Sequence, residues 1–406
     1  MDGIMKKSIV VAAALVIGGV SLPHTALGAD SKTNLAPLVS ASSGGVSGEY
    51  IVAVRDGRNP SDVARELGVT PSYVYDGAFR GFAMKVDSGK LSLVRSATGS
   101  VLSVTQNRSM RLPQEQEERS FVSTQNSPTW GLDRIDQRYL PLDSKYRYEQ
   151  KAGNVRAYVI DSGIDTDHPD FGGRVLNMYS ASGGSGNDCE GHGTHVAGTI
   201  GSSTYGVAKS VQLRSVKVTT GCTDEMTTAA LLAGIDWVYK NAIMPAVVNI
   251  SVISNFDINL NNATTSLVNK GLFVAASAGN RGEFSCAVSP ASALGVTGVA
   301  ASNSQDQHVN DQMQSAYGPC IDIYAPGRSI RSTVPNSPSD PNAWESRSGT
   351  SMASPHVAGV AAILKAKYPG YTPQNIQDWI VGNGTRNVLS NVPWGTPNIL
   401  LHKGSI

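Results

Sequence analysis

The stretch Gly349-Thr350-Ser351-Met352-Ala353-Ser354-Pro355-His356 runs into Val357–Leu364, which carries no charge. It constrains the fold more than any other segment. A run apolar on every side reads as a largely buried helix with Ser351 at its N-terminus. That position suits a nucleophile, because free backbone N–H groups and the positive end of the helix dipole can hold an oxyanion. A lone serine there can also simply cap the helix. Pro355 strains the capping reading, since it removes an N–H early in the helix and leaves a carbonyl one turn back without a partner.

The rest of the chain supplies context. Its 406 residues allow two or more domains. A charged fraction of 16% and net charge of +1 give no electrostatic footprint for nucleic acid or acidic partners. The 42 glycines and sparse aromatics suit the tight turns and close packing of an α/β enzyme. Lys6 and Lys7 precede the apolar run Ile9–Val20, too short to span a bilayer comfortably. Small residues then lead to a cut near Ala29, or after Gly28. Residues 1–29 therefore read as a signal peptide, and the mature protein as secreted, without a membrane segment and free to form disulfides.

Residues 30–47 are polar and Ser/Gly-rich and read as a linker. Over 48–112, strand-like runs at 48–54, 82–86 and 101–104 alternate with helical runs at 60–67, capped by Ser61, and 90–98. This predicts a small α+β domain. The charged, amide-rich run 114–119 marks a second linker, 113–122, and a processing site. The remaining body, 123–406, is dense in glycine and small residues.

Within that body, Val155–Ile160 reads as a buried strand ending at Asp161, where open α/β sheets place functional groups. An Asp before Ser-Gly also makes a good turn. His192 opens a short helix in Gly191-His192-Gly193-Thr194-His195; zinc is a poor reading, with no glutamate between the histidines and no evident third ligand. Asn280 follows the strand-like Phe273–Ser277. Together these residues supply an acid, a base, an amide donor and a nucleophile.

Asp161-Ser162-Gly163-Ile164, His192-Gly193-Thr194-His195, Ala278-Gly279-Asn280 and Gly349-Thr350-Ser351-Met352-Ala353 resemble the motifs of the subtilisin-like serine proteases. Their order Asp, His, Ser is that of subtilisin. The stretches 130–137 and 188–192 are most similar to the proteinase K and aqualysin branch. The resemblance runs from about Ser123 to the C-terminus, and residues 48–112 resemble the family's inhibitory propeptide.

The resemblance implies an open parallel sheet with helices on both faces, preceded by the α+β propeptide domain. It implies a secreted, monomeric endopeptidase made as a self-processed zymogen, acting on proteins and transiently inhibited by its own propeptide. Ser351 would attack, His192 act as base, Asp161 orient it, and Asn280 hold the oxyanion; His195 would be structural. Two segments would flank the substrate: Ser251-Val252-Ile253 and Ser277-Ala278-Gly279. Ile253 stands where the family usually has glycine, so it either narrows the pocket or turns away from the cleft. Cleavage before about Ser123 would place Ser120-Phe121-Val122 in the cleft and predicts tolerance for a medium apolar residue there.

Four cysteines allow three pairings; the resemblance favours Cys189–Cys222 and Cys286–Cys320. It also implies structural calcium and no organic cofactor, with one site at Asp322 and the Leu294 and Val296 carbonyls and a second at Asp133, Asp136, Gln137 and Asp143. The competing function is a catalytically silent binding protein on the same fold. A lipase or esterase is excluded, because it requires a Gly-x-Ser-x-Gly elbow and the opposite residue order.

Overall fold

A computed structural model describes residues 35–41, 45–76, 79–108, 123–148 and 152–406. The export segment and the processing junction lie outside them. The chain forms two compact units, Met1–Glu118 and Arg119–Ile406.

The first unit is a five-stranded sheet with two helices, Pro60–Glu66 and Ser88–Ser96. Two details correct the sequence reading. Asn59, not Ser61, caps the first helix, its side chain accepting from the N–H groups of Ser61 and Asp62. Proline at the first helical position moves the cap one residue before it. Part of the presumed linker is also structured: Leu38–Val39 pairs in parallel with Val104–Thr105, and Ala36 is buried in the unit's core. Apolar residues at 36 and 38 override the polar composition around them. A strand at Pro71–Tyr75 went unpredicted because its residues are mostly exposed and lack alternation.

In the second unit a nine-stranded sheet carries the architecture. Its strands are β1 (Arg156–Asp161), β2 (Val175–Ser180), β3 (Gln212–Lys217), β4 (Ala246–Ile250), β5 (Phe273–Ser277), β6 (Thr297–Ser302), β7 (Ile323–Pro326), β8 (Thr385–Arg386) and β9 (Ile399–Leu400). They lie in the order β8-β9-β7-β6-β5-β4-β1-β3-β2, all parallel except the β8–β9 pair. Five helices matter to the site or its support: α1 (His192–Gly201), α2 (Thr228–Asn241), α3 (Ile258–Asn269), α4 (Thr350–Lys367) and α5 (Pro373–Asn383).

Alternation along β1 sends its apolar side chains to opposite faces. Ala157 and Val159 join a core with α1, α4 and α5, while Tyr158 and Ile160 join one with α2 and α3. Strands covered on both faces read as continuous apolar runs, as β4 and β5 do. Helix α4 is buried from Thr350 to Lys365 and packs across β4, β5 and β6. The register Ile160↔Ile250↔Ala276 puts the next residues, Asp161, Ser251 and Ser277, level at the carboxyl ends of three neighbouring strands. Chain direction across the sheet reverses at β1, the switch point where open α/β sheets bind ligands.

Both expected disulfides are present: Cys189–Cys222 and Cys286–Cys320, 33 and 34 residues apart in sequence. Loops of that length are worth about 3–4 kcal/mol each by the chain-entropy argument. The first anchors the segment leading into His192.

Candidate active site

Asp161, 1% exposed, ends β1. Its Oδ1 accepts from His192 Nδ1–H at 2.7 Å and from the Ser162 N–H at 2.7 Å. His192 reaches that carboxylate because α1 begins unusually close to the strand end. A Cβ on Gly193 would stand 2.1 Å from the Gly163 carbonyl, so only glycine permits the approach.

Asp188, absent from the sequence-derived site, holds this junction together. Its carboxylate accepts from the N–H groups of Gly191 and Thr194, the Thr194 hydroxyl and the Ser162 hydroxyl. Ser162 Oγ in turn accepts from the Gly193 N–H at 2.8 Å. One buried carboxylate therefore ties the start of α1 to the end of β1. The available sequence signal was an Asp just ahead of a helix start.

Burial alone would lower the His192 pKa, but the adjacent Asp161 carboxylate outweighs it through charge and hydrogen bond. The net shift is upward; Glu190 adds to it and Arg347 opposes it. Arg347 lies 3.9 Å from Glu190, whose carboxylate accepts from the His192 N–H. An imidazole can take up a proton only when neutral, so a base at His192 would lose its function as pH drops through this pKa. Removing the opposing cation in Arg347→Gln is expected to move the acid limb of kcat/KM to higher pH, read from a pH–rate profile. An unchanged or lowered limb would contradict it.

His195 belongs to the structure, as expected. It is fully buried, and its Nε2–H is shared between the carbonyls of Ile330 and Glu345 at 2.9 and 3.2 Å. Burial pushes its pKa down to about 3, so the ring stays neutral.

Asn280 lies three residues beyond β5. Its Oδ1 accepts from the Thr350 N–H at 2.8 Å and is within 2.9 Å of Thr350 Oγ1. That fixes which end of the amide faces the Thr350 backbone and leaves Nδ2 free to donate elsewhere. Ser351 occupies the second helical position of α4, after Gly349 at the N-cap; its hydroxyl donates to the Ser251 carbonyl at 3.0 Å. No side chain caps α4, so capping does not account for Ser351.

A cleft of about 330 Å³ is lined by Asp161, His192, Ser251, Val252 and Ile253, with Glu190, Asp224, Met226 and Arg281 around them. Ile253 is therefore a cleft residue, 36% exposed. Ser277 and Ala278 are fully buried, and the N–H groups of Ala278 and Gly279 are engaged by Val299 and Thr350. This second segment underlies the site and is not among the cleft's lining residues.

A sequence profile of the subtilase family, Peptidase_S8, matches residues 154–395. The chain belongs to the subtilase family. An extracellular serine proteinase of Thermus sp. (strain Rt41A) is 40% identical over 337 residues, covering 82% of this chain and 78% of that protein. Proteinase R of Parengyodontium album is 35% identical over 384 residues, covering 92% and 93%. The crystal structure of a cold adapted subtilisin-like serine proteinase aligns with a TM-score of 0.65 at 38% identity, covering 69% of this chain and all of that one. This subtilase is a serine endopeptidase of the proteinase K branch with the subtilisin-like fold.

The two calcium expectations fare differently on chemistry. Asp322 sits with Leu294 and Val296 around a cavity of about 680 Å³. Its carboxylate accepts from the Gly298 N–H, and burial pushes its pKa up to about 6. A half-buried carboxylate that shares a cavity with Leu294 and Val296, and for which no ion pair is seen among the described residues, fits a hard divalent cation. In the second set Asp136 lies between Arg147 and Lys403, at 3.2 and 3.0 Å, and Asp143 pairs with Arg147 at 2.5 Å. Asp133 accepts from the Ser144 N–H, and Gln137 Oε1 from the Asp143 N–H. Asp136 and Asp143 are thus already paired with cations while Asp133 is held only by backbone N–H groups, so a cation binding the whole set would have to displace Arg147. Among the described residues no group of three or more His, Cys, Asp or Glu side chains is arranged to hold a metal.

Proposed function

We propose that this subtilase is a secreted endopeptidase, made as a zymogen, which cleaves protein chains through an acyl-enzyme at Ser351. The observation that carries the reading is the Asp161–His192 hydrogen bond of 2.7 Å, made at the strand end level with the Ser251 carbonyl that holds the Ser351 hydroxyl. For attack the Ser351 hydroxyl turns from that carbonyl to His192, which takes its proton. Asp161 keeps the imidazole in the right tautomer and stabilises its charged form. The oxyanion then lies between Asn280 Nδ2 and the Ser351 N–H. His192 returns the proton to the leaving amine, and water repeats the sequence to release the acyl group.

The first unit is read as the propeptide, inhibiting the enzyme until cleavage before about Ser123. Export follows from the basic and apolar start of the chain; among the described residues no helix is long and apolar enough to cross a membrane. The test is labelling by a fluorophosphonate. The processed protein should label on Ser351, and Ser351→Ala should not. Absence of labelling in the processed wild type would favour the binding-protein reading.

Calcium at Asp322 is part of the proposal. A cation bound only by the folded state stabilises it by about 2.7 kcal/mol when present at a hundred times its Kd. A chelator is therefore expected to lower the melting temperature by several degrees, and Asp322→Asn to abolish that response. A melt unaffected by chelator would remove the metal.

A further inference from the structure

Pro355 creates a specific deficit. In an α-helix the N–H of residue 355 would donate to the carbonyl of residue 351, four positions back, and proline has no N–H. Helix α4 nevertheless continues through Pro355 to Lys367. The carbonyl left over belongs to Ser351, 7% exposed and shielded from water, where an unmet acceptor is costly.

The missing donor comes from another strand. Ser251 Oγ, just beyond β4, lies 3.0 Å from the Ser351 carbonyl oxygen. Asn249 Nδ2 donates to the same Oγ at 2.9 Å, and Ser354 Oγ lies 2.9 Å from it. A serine hydroxyl has one proton and two lone pairs. A carbonyl can only accept, so the Ser251 proton goes to Ser351, and the hydroxyl of Ser354 donates to Ser251. Every position on the Ser251 oxygen is then used. The Ser351 hydroxyl donates back to the Ser251 carbonyl at 3.0 Å. Each serine thus donates its side-chain proton to the other's main chain.

We propose that Ser251 is a positioning residue for the nucleophile: its hydroxyl replaces the helix hydrogen bond that Pro355 removes, and so sets the first turn of α4 against the end of β4. Because the end of β4 is level with Asp161 on β1, this staple registers Ser351 to the carboxylate that orients the base. The proline makes Ser351 depend on a donor from the sheet instead of on its own helix. The inference rests on Ser351 being the nucleophile.

The test is a double-mutant cycle between Ser251→Ala and Pro355→Ala on the processed enzyme, read by steady-state kinetics on a peptide amide and by the fluorophosphonate labelling rate. Ser251→Ala is expected to lower kcat and the labelling rate about tenfold, the worth of one buried hydrogen bond, with KM within about twofold. Alanine at 355 restores an N–H aimed at the Ser351 carbonyl. In that background the Ser251→Ala loss should shrink to about twofold or less. The same tenfold loss in both backgrounds, or a loss confined to KM, overturns the proposal. Wild-type enzyme that fails to label overturns instead the assignment of Ser351. If Ser251→Ala alone does not accumulate as processed protein, Pro355→Ala in the same chain must restore it. A double variant that still fails to accumulate also overturns the proposal.

Discussion

Ser351→Ala is expected to lower kcat by about 10⁶-fold while leaving KM nearly unchanged, the scale found for the same removal in subtilisin. The cleft bordered by Val252 and Ile253, where substrate would bind, is left in place by the substitution. Covalent attack is lost outright, and only the oxyanion donors remain to help a water molecule. His192→Ala should cost a similar amount, and the two losses should not add, because base and nucleophile act as one unit. The measurement is kcat on a peptide amide with purified, separately processed protein, since the variant cannot mature itself. A loss below about 10³-fold would mean that another group carries the attack.

Asn280→Leu is the second large expectation: a fall in kcat of about 10²–10³-fold with little change in KM, again a scale established on subtilisin. The structure explains why this amide is ready for the task. Thr350 holds Oδ1 through a backbone N–H at 2.8 Å, so Nδ2 is oriented before substrate arrives. An acceptor end pinned in advance leaves little reorganisation for the transition state to wait for. Asn280→Asp has the same shape but no donor, so it should lose at least as much. A substitution that raised KM instead would make Asn280 a substrate-binding residue.

How far the chain alone reveals this site differs from residue to residue. Asp161, His192, Asn280 and Ser351 stand out in the chain because each lies at or just beyond a strand end, or at a helix start, within a patterned run of small residues. Asp188, Ser162 and Thr350 were not marked as contributors, since their part is to hold other residues and depends on distances across elements. Asp188 is a turn-like acid until α1 and β1 meet beside it, with five hydrogen bonds converging on its carboxylate. Ile253 left two readings open, because strand alternation alone could not say which face bordered the cleft; the fold lines the cleft with it.

The first unit shows the same limit. Its two helices were found within two residues of their true bounds. Leu38–Val39 was read as linker, because two apolar residues in a polar stretch form a strand only when Val104 and Thr105 are beside them.

By itself, then, the sequence marked the buried helix behind Gly349-Thr350-Ser351, and its resemblance to the subtilisin-like proteases implied the parallel sheet and named an acid, a base, an amide and a nucleophile. Local apolar periodicity carries the first, and the motifs and their order carry the second. Tertiary structure decided how the four are held and what Pro355 is for. The carbonyl that this proline releases is visible in the chain; its donor, Ser251, is a hundred residues away in sequence and 3.0 Å away in space. Hydrogen bonds between distant elements leave no periodic trace, so only the assembled sheet brings that donor to the nucleophile.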